Sequence, residues 1–188
     1  MPRFFLAVSP LPLLVACVAG GLGDSTKGTP CDTGTELPAA CACDAPAITI
    51  GTGDITFEPL DEGSPLTMVH GPQGGWHMLG SAKMENLLPI VRIHFTIDRV
   101  ADGARVADMN YNVQMVAEGE CGGYFPGMYG YLDVSGIASE EADTPPELLG
   151  GAELLLSMEV TDTEGRIASD TLRVVAALDP VDAESAAE

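Results

Sequence analysis

The segment Ile90-Val-Arg-Ile-His-Phe-Thr-Ile-Asp98 decides the fold class, because apolar and polar side chains alternate along it without a break. In an extended chain, successive side chains point to opposite faces. The apolar set that would face one side is Val91, Ile93, Phe95 and Ile97, and the polar set that would face the other is Arg92, His94, Thr96 and Asp98. The pattern predicts a β-strand that is buried on one face.

Similar strand patterns lie on both sides of this segment. Ala101-Asp-Gly-Ala104 supplies the turn residues of a tight hairpin, and a return strand is predicted from Met109 to Val116. A second hairpin is predicted around residues 162–165. The other predicted strands are Ala47–Ile50, Ile55–Phe57, Pro65–Val69, Trp76–Met84, Ala152–Val160 and Ile167–Ala177. Gly119–Gly136 is rich in glycine and aromatic residues, and it predicts an irregular loop that leads into a strand around Tyr129–Val134.

These segments predict eight to ten short strands between residues 46 and 179, with no long helical period. We therefore expect an all-β, antiparallel sandwich. The closing hairpin, with Val160-Thr-Asp-Thr-Glu-Gly-Arg166 at its turn, resembles the terminal strand pair of immunoglobulin-like domains in bacterial surface proteins. The resemblance implies an immunoglobulin-like sandwich, and a cupredoxin-like sandwich is the alternative.

The start of the chain indicates a destination. Residues 1–16 contain an early arginine followed by a short apolar run, as a signal peptide does. Leu14-Val15-Ala16-Cys17 resembles the lipobox of bacterial lipoproteins. The resemblance implies that Cys17 is acylated and anchors the protein to the cell envelope. Val18 after the cysteine favours the outer membrane, facing either the periplasm or the cell surface. An ordinary secretory signal with a chance cysteine is the alternative.

The segment 17–45 is rich in Gly, Ser and Thr and predicts a flexible tether, whereas residues 180–188 predict an acidic disordered tail. Four cysteines besides Cys17, in an oxidising compartment, predict two disulfides. A bond between Cys41 and Cys43 is sterically poor, so one of these two is expected to reach Cys121 and the other Cys31. A four-cysteine zinc site is the alternative, although the spacing lacks paired C-x-x-C motifs.

The charge balance excludes one class of partner. Eight Lys and Arg residues against 28 Asp and Glu give a formal net charge of -20. Such a chain repels phosphate backbones, so nucleic acid is not expected as a partner.

The stretch His70-Gly-Pro-Gln-Gly-Gly-Trp-His77 gathers rare residues around a turn. Proline and paired glycines favour a tight corner between two strands, with Trp76 packed against the core. The Gly-Pro-Gln-Gly-Gly-x-His pattern resembles a segment of uncharacterised secreted bacterial lipoproteins, a likeness that implies no activity.

The same stretch also suggests a metal site. His70 and His77 flank the turn, and Met78, or Met68, together with His94 would complete a soft ligand set suited to copper. Against this alternative, His94 shares its predicted strand face with Arg92, whose charge disfavours a cation. No cofactor is otherwise expected.

No sequence motif indicates catalysis: G-x-S-x-G, a P-loop and H-E-x-x-H are all absent from the sequence. We therefore expect a noncatalytic interaction or structural domain, anchored to the membrane through its lipid. Tyr124, Phe125, Tyr129 and Tyr131 form the candidate contact surface for a protein or glycan partner. Core packing of these four aromatic residues is the alternative.

Overall fold

The computed structural model describes residues 37–71 and 74–180. Within these residues the chain forms ten strands and two short helices. The elements are α1 (Ala39–Ala42), β1 (Ala47–Thr52), β2 (Glu58–Pro59), β3 (Ser64–His70), β4 (Trp76–Glu85), β5 (Ile90–Arg99), β6 (Arg105–Gln114), β7 (Val116–Ala117), β8 (Gly122–Tyr131), α2 (Pro145–Leu149), β9 (Glu153–Asp162) and β10 (Ile167–Leu178).

The strands form one curled sheet in the order β2-β1-β4-β3-β10-β9-β5-β6, and β8 pairs with β4 and β7 off this path. The predicted all-β, sandwich-like class is confirmed. The expectation that every pair is antiparallel is wrong for β3 and β10, which run parallel with Ser64 opposite Val174. Parallel neighbours need a long connection, and the chain between β3 and β10 supplies it.

Strand β4 lies at the centre of one half of the sandwich. One of its edges pairs with β8 along its length, whereas β3 and β1 share the other edge. The opposite half is formed by β5, β6, β9 and β10. The two halves meet at the fully buried Phe95, whose ring lies so close to Gly80 and Gly130 that a Cβ at either position would come within 3.0 Å of it. Glycine at these two positions permits the close packing of the halves.

The two predicted hairpins are confirmed. Strand β5 pairs with β6 across the turn that contains Gly103, whose φ is +70°. In the second hairpin Leu154 lies opposite Val174 and Leu156 opposite Leu172. All four predicted inward residues of β5 are buried, as the alternating pattern indicated.

Two local expectations are wrong. The part of Gly119–Gly136 before Tyr129 was expected as a loop, but β8 begins at Gly122, because its glycines fit into the sheet where neighbouring side chains and backbone approach closely. The strand expected around Tyr129–Val134 ends at Tyr131. Ile55–Phe57 is a bend rather than a strand, and the Ile55 side chain is 81% exposed.

Upstream of β1, the chain packs against the sandwich through a small second core of Leu37, Cys41 and Leu88. Cys41 forms a disulfide with Cys121, which is one of the two pairings that the sequence left open. Cys43 is also disulfide-bonded. The remaining candidate, Cys31, lies outside the described residues, as do Cys17, the predicted signal peptide and residues 181–188.

Asp162 closes the β9–β10 turn from inside the structure. Its carboxylate accepts backbone N–H bonds from Leu88 at 3.1 Å and from Glu164 and Arg166 at 2.9 Å. The side chain is buried, so these bonds replace its hydration. Asp162 thus ties the last hairpin to the segment that enters β5.

No helix in the described ranges is long and apolar enough to cross a membrane.

Candidate functional site

The predicted corner between two strands is the β3–β4 hairpin. The N–H of Gly71 donates to the carbonyl of Gly75 at 2.9 Å, and Gly74 and Gly75 have φ values of +83° and +85°. Other residues rarely adopt these values, so the paired glycines make the turn possible. Trp76, the first residue of β4, is half-buried and packs against the main core.

The hairpin register separates the two histidines. His70 lies opposite Trp76, with ring centroids 4.8 Å apart, whereas His77 lies opposite Val69. Because neighbouring positions on a strand face opposite ways, the imidazoles of His70 and His77 point to opposite faces of the sheet.

The other candidate copper ligands are also apart. Met78 and Met68 form a fully buried cross-strand pair in the core. His94 lies on the outer face of β5, where its Nε2 is 2.9 Å from the Oδ1 of Asp108. Within the described part of the chain, no group of three His, Cys, Asp or Glu residues is placed to hold a metal ion. The structure therefore does not bring the predicted ligand set together, and copper binding stays a hypothesis.

Instead, His77 belongs to an aromatic cluster on the outer face of β4 and β8, which we call the tyrosine face and define as His77, Tyr129 and Tyr131. His77 and Tyr131 are cross-strand partners. The rings of Tyr129 and Tyr131 stack with centroids 5.9 Å apart and planes at 17°. His77 packs edge-on against Tyr129, with centroids 4.8 Å apart. Two stacked phenol rings thus cover an imidazole.

Exposure differs sharply across this cluster. Tyr131 is 56% exposed and Tyr129 38%, whereas His77 is only 8% exposed. Burial lowers the pKa of His77 below its ordinary value, because the desolvated ring resists becoming charged. The tyrosine face therefore presents two aromatic side chains above an imidazole that favours its neutral form.

The remaining two predicted contact residues occupy different environments. Tyr124 lies opposite Lys83 and Val116 near the other end of β8. Phe125 packs against the main core, which its position opposite the buried Ala82 explains. Phe125 therefore contributes to the fold and is not part of the tyrosine face.

Beside Tyr131, a charged network that the sequence did not reveal lies on β5 and β6. Arg105 donates from Nε and Nη2 to the two carboxylate oxygens of Asp98, at 2.9 and 3.2 Å, and from Nη1 to Asp108 at 3.2 Å. Hydrogen bonds from His94 and Arg105 lower the pKa of Asp108. Asp98 and Arg105 are seven residues apart and His94 and Asp108 fourteen, and the pairing of β5 with β6 brings each of these pairs together. Arg105 and Asp108 lie three positions apart on β6 itself.

Comparisons with known proteins give little further information. No protein-family model matches the sequence, and no curated protein matches it. Among solved structures, the CooA pilin subunit from enterotoxigenic Escherichia coli aligns with 70% of this chain and 99% of its own, at 12% identity and a TM-score of 0.34. A likeness this low carries no functional information.

Proposed function

We propose that this protein is a lipid-anchored component of the bacterial cell envelope, whose β-sandwich binds a partner noncatalytically through the tyrosine face. The observation that supports this binding surface is the stacked, exposed pair Tyr129 and Tyr131 on the outer face of β4 and β8. The anchor rests on the lipobox-like Leu14-Val15-Ala16-Cys17.

Exposed tyrosines favour binding because a rigid ring provides a large contact area at a small cost in side-chain entropy. Here the cost is reduced further, since each ring is held by its neighbour and by His77 beneath. A preorganised surface loses less freedom on binding than a mobile one. The arrangement lies on strands, which hold side chains more firmly than loops do.

The envelope location agrees with the disulfides of Cys41 and Cys43, since such bonds persist in oxidising compartments. The strongly acidic composition keeps the domain soluble next to an anionic membrane surface. A domain of this kind would be held at the membrane by its lipid and not by its surface charge.

Cell fractionation tests the anchor. We expect the wild-type protein in the membrane fraction and the Cys17→Ser variant in the soluble fraction, because the substitution removes the acceptor thiol. If the Cys17→Ser variant stays with the membrane, lipid anchoring through this residue is contradicted.

Co-purification from envelope extracts tests the binding surface. Wild type, a Tyr129→Ala/Tyr131→Ala double variant and a Tyr124→Ala control should be compared by quantitative mass spectrometry and glycan analysis. We expect wild type and the control to retain the same partner and the double variant to lose it. Equal recovery of all partners by the double variant would rule out the tyrosine face as the contact surface.

A further inference from the structure

A concave site lies directly beside the tyrosine face. It is a cavity of about 490 Å³ between the start of β6 and the segment that follows β8, lined by Arg105, Asp108, Met109, Tyr131, Asp133 and Ser135. This volume falls within the range of small-molecule sites in proteins. Tyr131 belongs both to this cavity and to the tyrosine face.

A β-bulge builds the cavity. Ile97 pairs with Ala107 but Asp98 pairs with Arg105, so Val106 is the extra residue. Its carbonyl accepts the N–H of Asp133 at 2.8 Å and fastens the segment after β8 to β6. Bulges bend a strand and redirect its side chains, and they are enriched next to functional sites. The two walls of the cavity are therefore fixed to each other by backbone.

The polar groups at the cavity are held in place but have hydrogen-bonding capacity left. A guanidinium has five N–H donors, and Arg105 uses three of them on Asp98 and Asp108. Asp133 accepts the N–H of Ser135 at 3.0 Å, and an ionised carboxylate can accept several more bonds. The site thus offers hydrogen-bond donors and acceptors together with the exposed aromatic ring of Tyr131, which lines the same cavity.

We propose that this cavity binds an uncharged saccharide, with a sugar ring packed on Tyr131 and its hydroxyl groups bonded to Asp133, Ser135 and Arg105. The proposal rests on the proposed function and names its partner class. Sugar hydroxyls both donate and accept, as this mixed lining requires, and the apolar face of a sugar ring suits an aromatic wall.

Charge selects among ligand classes. Among the charged residues that line the cavity, Asp108 and Asp133 outnumber the one cation, Arg105, which is also paired with Asp98, in a chain of net charge -20. An acidic sugar or a phosphate would meet repulsion. Hydrogen bonds from Ser135 lower the pKa of Asp133, so its acceptor form persists at mildly acidic pH.

A printed array of neutral, amino and acidic saccharides, probed with the full-length protein in detergent, tests the proposal. The best neutral saccharide is then titrated by calorimetry against wild type, Tyr131→Ala, Asp133→Ala and the Tyr124→Ala control. We expect Tyr131→Ala to weaken binding by roughly tenfold or more, because the ring provides most of the apolar contact. The control should bind as wild type does.

Saturation-transfer NMR with the wild-type protein removes any dependence on variants that fold poorly. We expect the strongest transfer on C–H protons of one face of one sugar ring. Saccharide binding that is lost in Tyr131→Ala but kept in Tyr124→Ala supports the proposal. Preference for acidic saccharides, or binding unchanged by both cavity variants, overturns it.

If the array shows no saccharide binding, the co-purification experiment distinguishes the saccharide site from the wider interaction surface. If no saccharide binds but co-purification of a protein still depends on Tyr129 and Tyr131, the saccharide site is wrong and the interaction surface stands. If neither binding is seen, both fail.

Discussion

His77 and Trp76 are neighbours in the sequence, but their side chains lie on opposite faces of the sheet. Trp76 packs on the core side of the sheet, whereas His77 is covered from outside by Tyr129 and Tyr131. Their divergence follows from the alternation of side chains along a strand. The sequence could not predict which tyrosines cover His77, since that depends on the pairing of β4 with β8.

The buried imidazole makes stability depend on pH. Because the folded state lowers the pKa of His77 below its ordinary value of 6.5, the unfolded chain binds this proton more readily. The contribution of His77 to the free energy of unfolding is therefore complete well above pH 6.5. It declines as the pH falls through that value and levels off below the folded pKa.

Urea unfolding at pH 7.5 and at pH 5.5 measures this effect, and the loss between the two values should be smaller for His77→Gln than for wild type. Leu79→Ala is the control, because Leu79 lies beside Tyr129 on the same face and does not titrate. Relative to wild type, Leu79→Ala should lose the same free energy of unfolding at pH 7.5 as at pH 5.5. A pH slope that is identical in wild type and His77→Gln would contradict the burial of a neutral imidazole.

The burial of Asp162 could not be predicted from the sequence. As one of 28 acidic residues it resembles the solvated surface of the chain. In the fold it is a buried acceptor for three backbone N–H groups. Residue type alone does not distinguish the two cases, because burial depends on which segments meet at the turn.

Among the secondary-structure elements, β8 departs most from the sequence pattern. Alternation identified β5, β9 and β10 because most of their inward positions, at every second residue, are apolar. Asp170 of β10 is an exception, and its carboxylate accepts the N–H of Ile50. In β8 glycines such as Gly123 and Gly130 take inward positions and a register shift interrupts the alternation, so the hydrophobic signal is missing although the segment is a strand. The parallel pairing of β3 with β10 could not be predicted either, because no local sequence pattern indicates a contact between strands that are far apart in the chain.

Gly123 in β8 allows a close approach that any side chain would prevent. A Cβ at this position would lie 2.5 Å from the carbonyl oxygen of Val116 and 2.7 Å from the sulfur of Met115. We expect Gly123→Ala to reduce the free energy of unfolding by about 2 kcal/mol, because backbone must move to relieve the clash.

Gly136→Ala is the matched control, since a Cβ there meets no atom within 4 Å. Denaturant titration should find this variant close to wild type. Equal stability of the two alanine variants would show that β7 and β8 are not packed as described.

For the molecule as a whole, the Cys41–Cys121 disulfide joins the chain upstream of β1 to the start of β8, over a sequence separation of 80 residues. Such a cross-link restricts the unfolded chain. We expect the Cys41→Ala/Cys121→Ala double variant to lose roughly 2–4 kcal/mol of unfolding free energy, measured in guanidinium. An unfolding midpoint equal to that of the oxidised wild type would contradict a structural role for this bond.

The sequence predicts the fold class better than it predicts the candidate site. Period-two patterning and turn residues predicted an all-β sandwich, and the cysteine spacing limited the bond to Cys121 to two choices. The tyrosine face was predictable only as a group of aromatic residues, because Phe125 and Tyr129 differ in environment through a register shift between Gly80 and Ala82. The cavity had no sequence signal, since a bulge and a cross-strand ion network create it.

We propose that the protein contacts its partner through the tyrosine face. Photo-crosslinking in intact cells tests this contact, with p-benzoylphenylalanine placed at Tyr131 or, as a control, at the exposed Glu159 on the outer face of β9. We expect a discrete crosslinked adduct from position 131 and none from position 159. Adducts from position 159 alone, or from neither position in cells where the protein is membrane-bound, would contradict it.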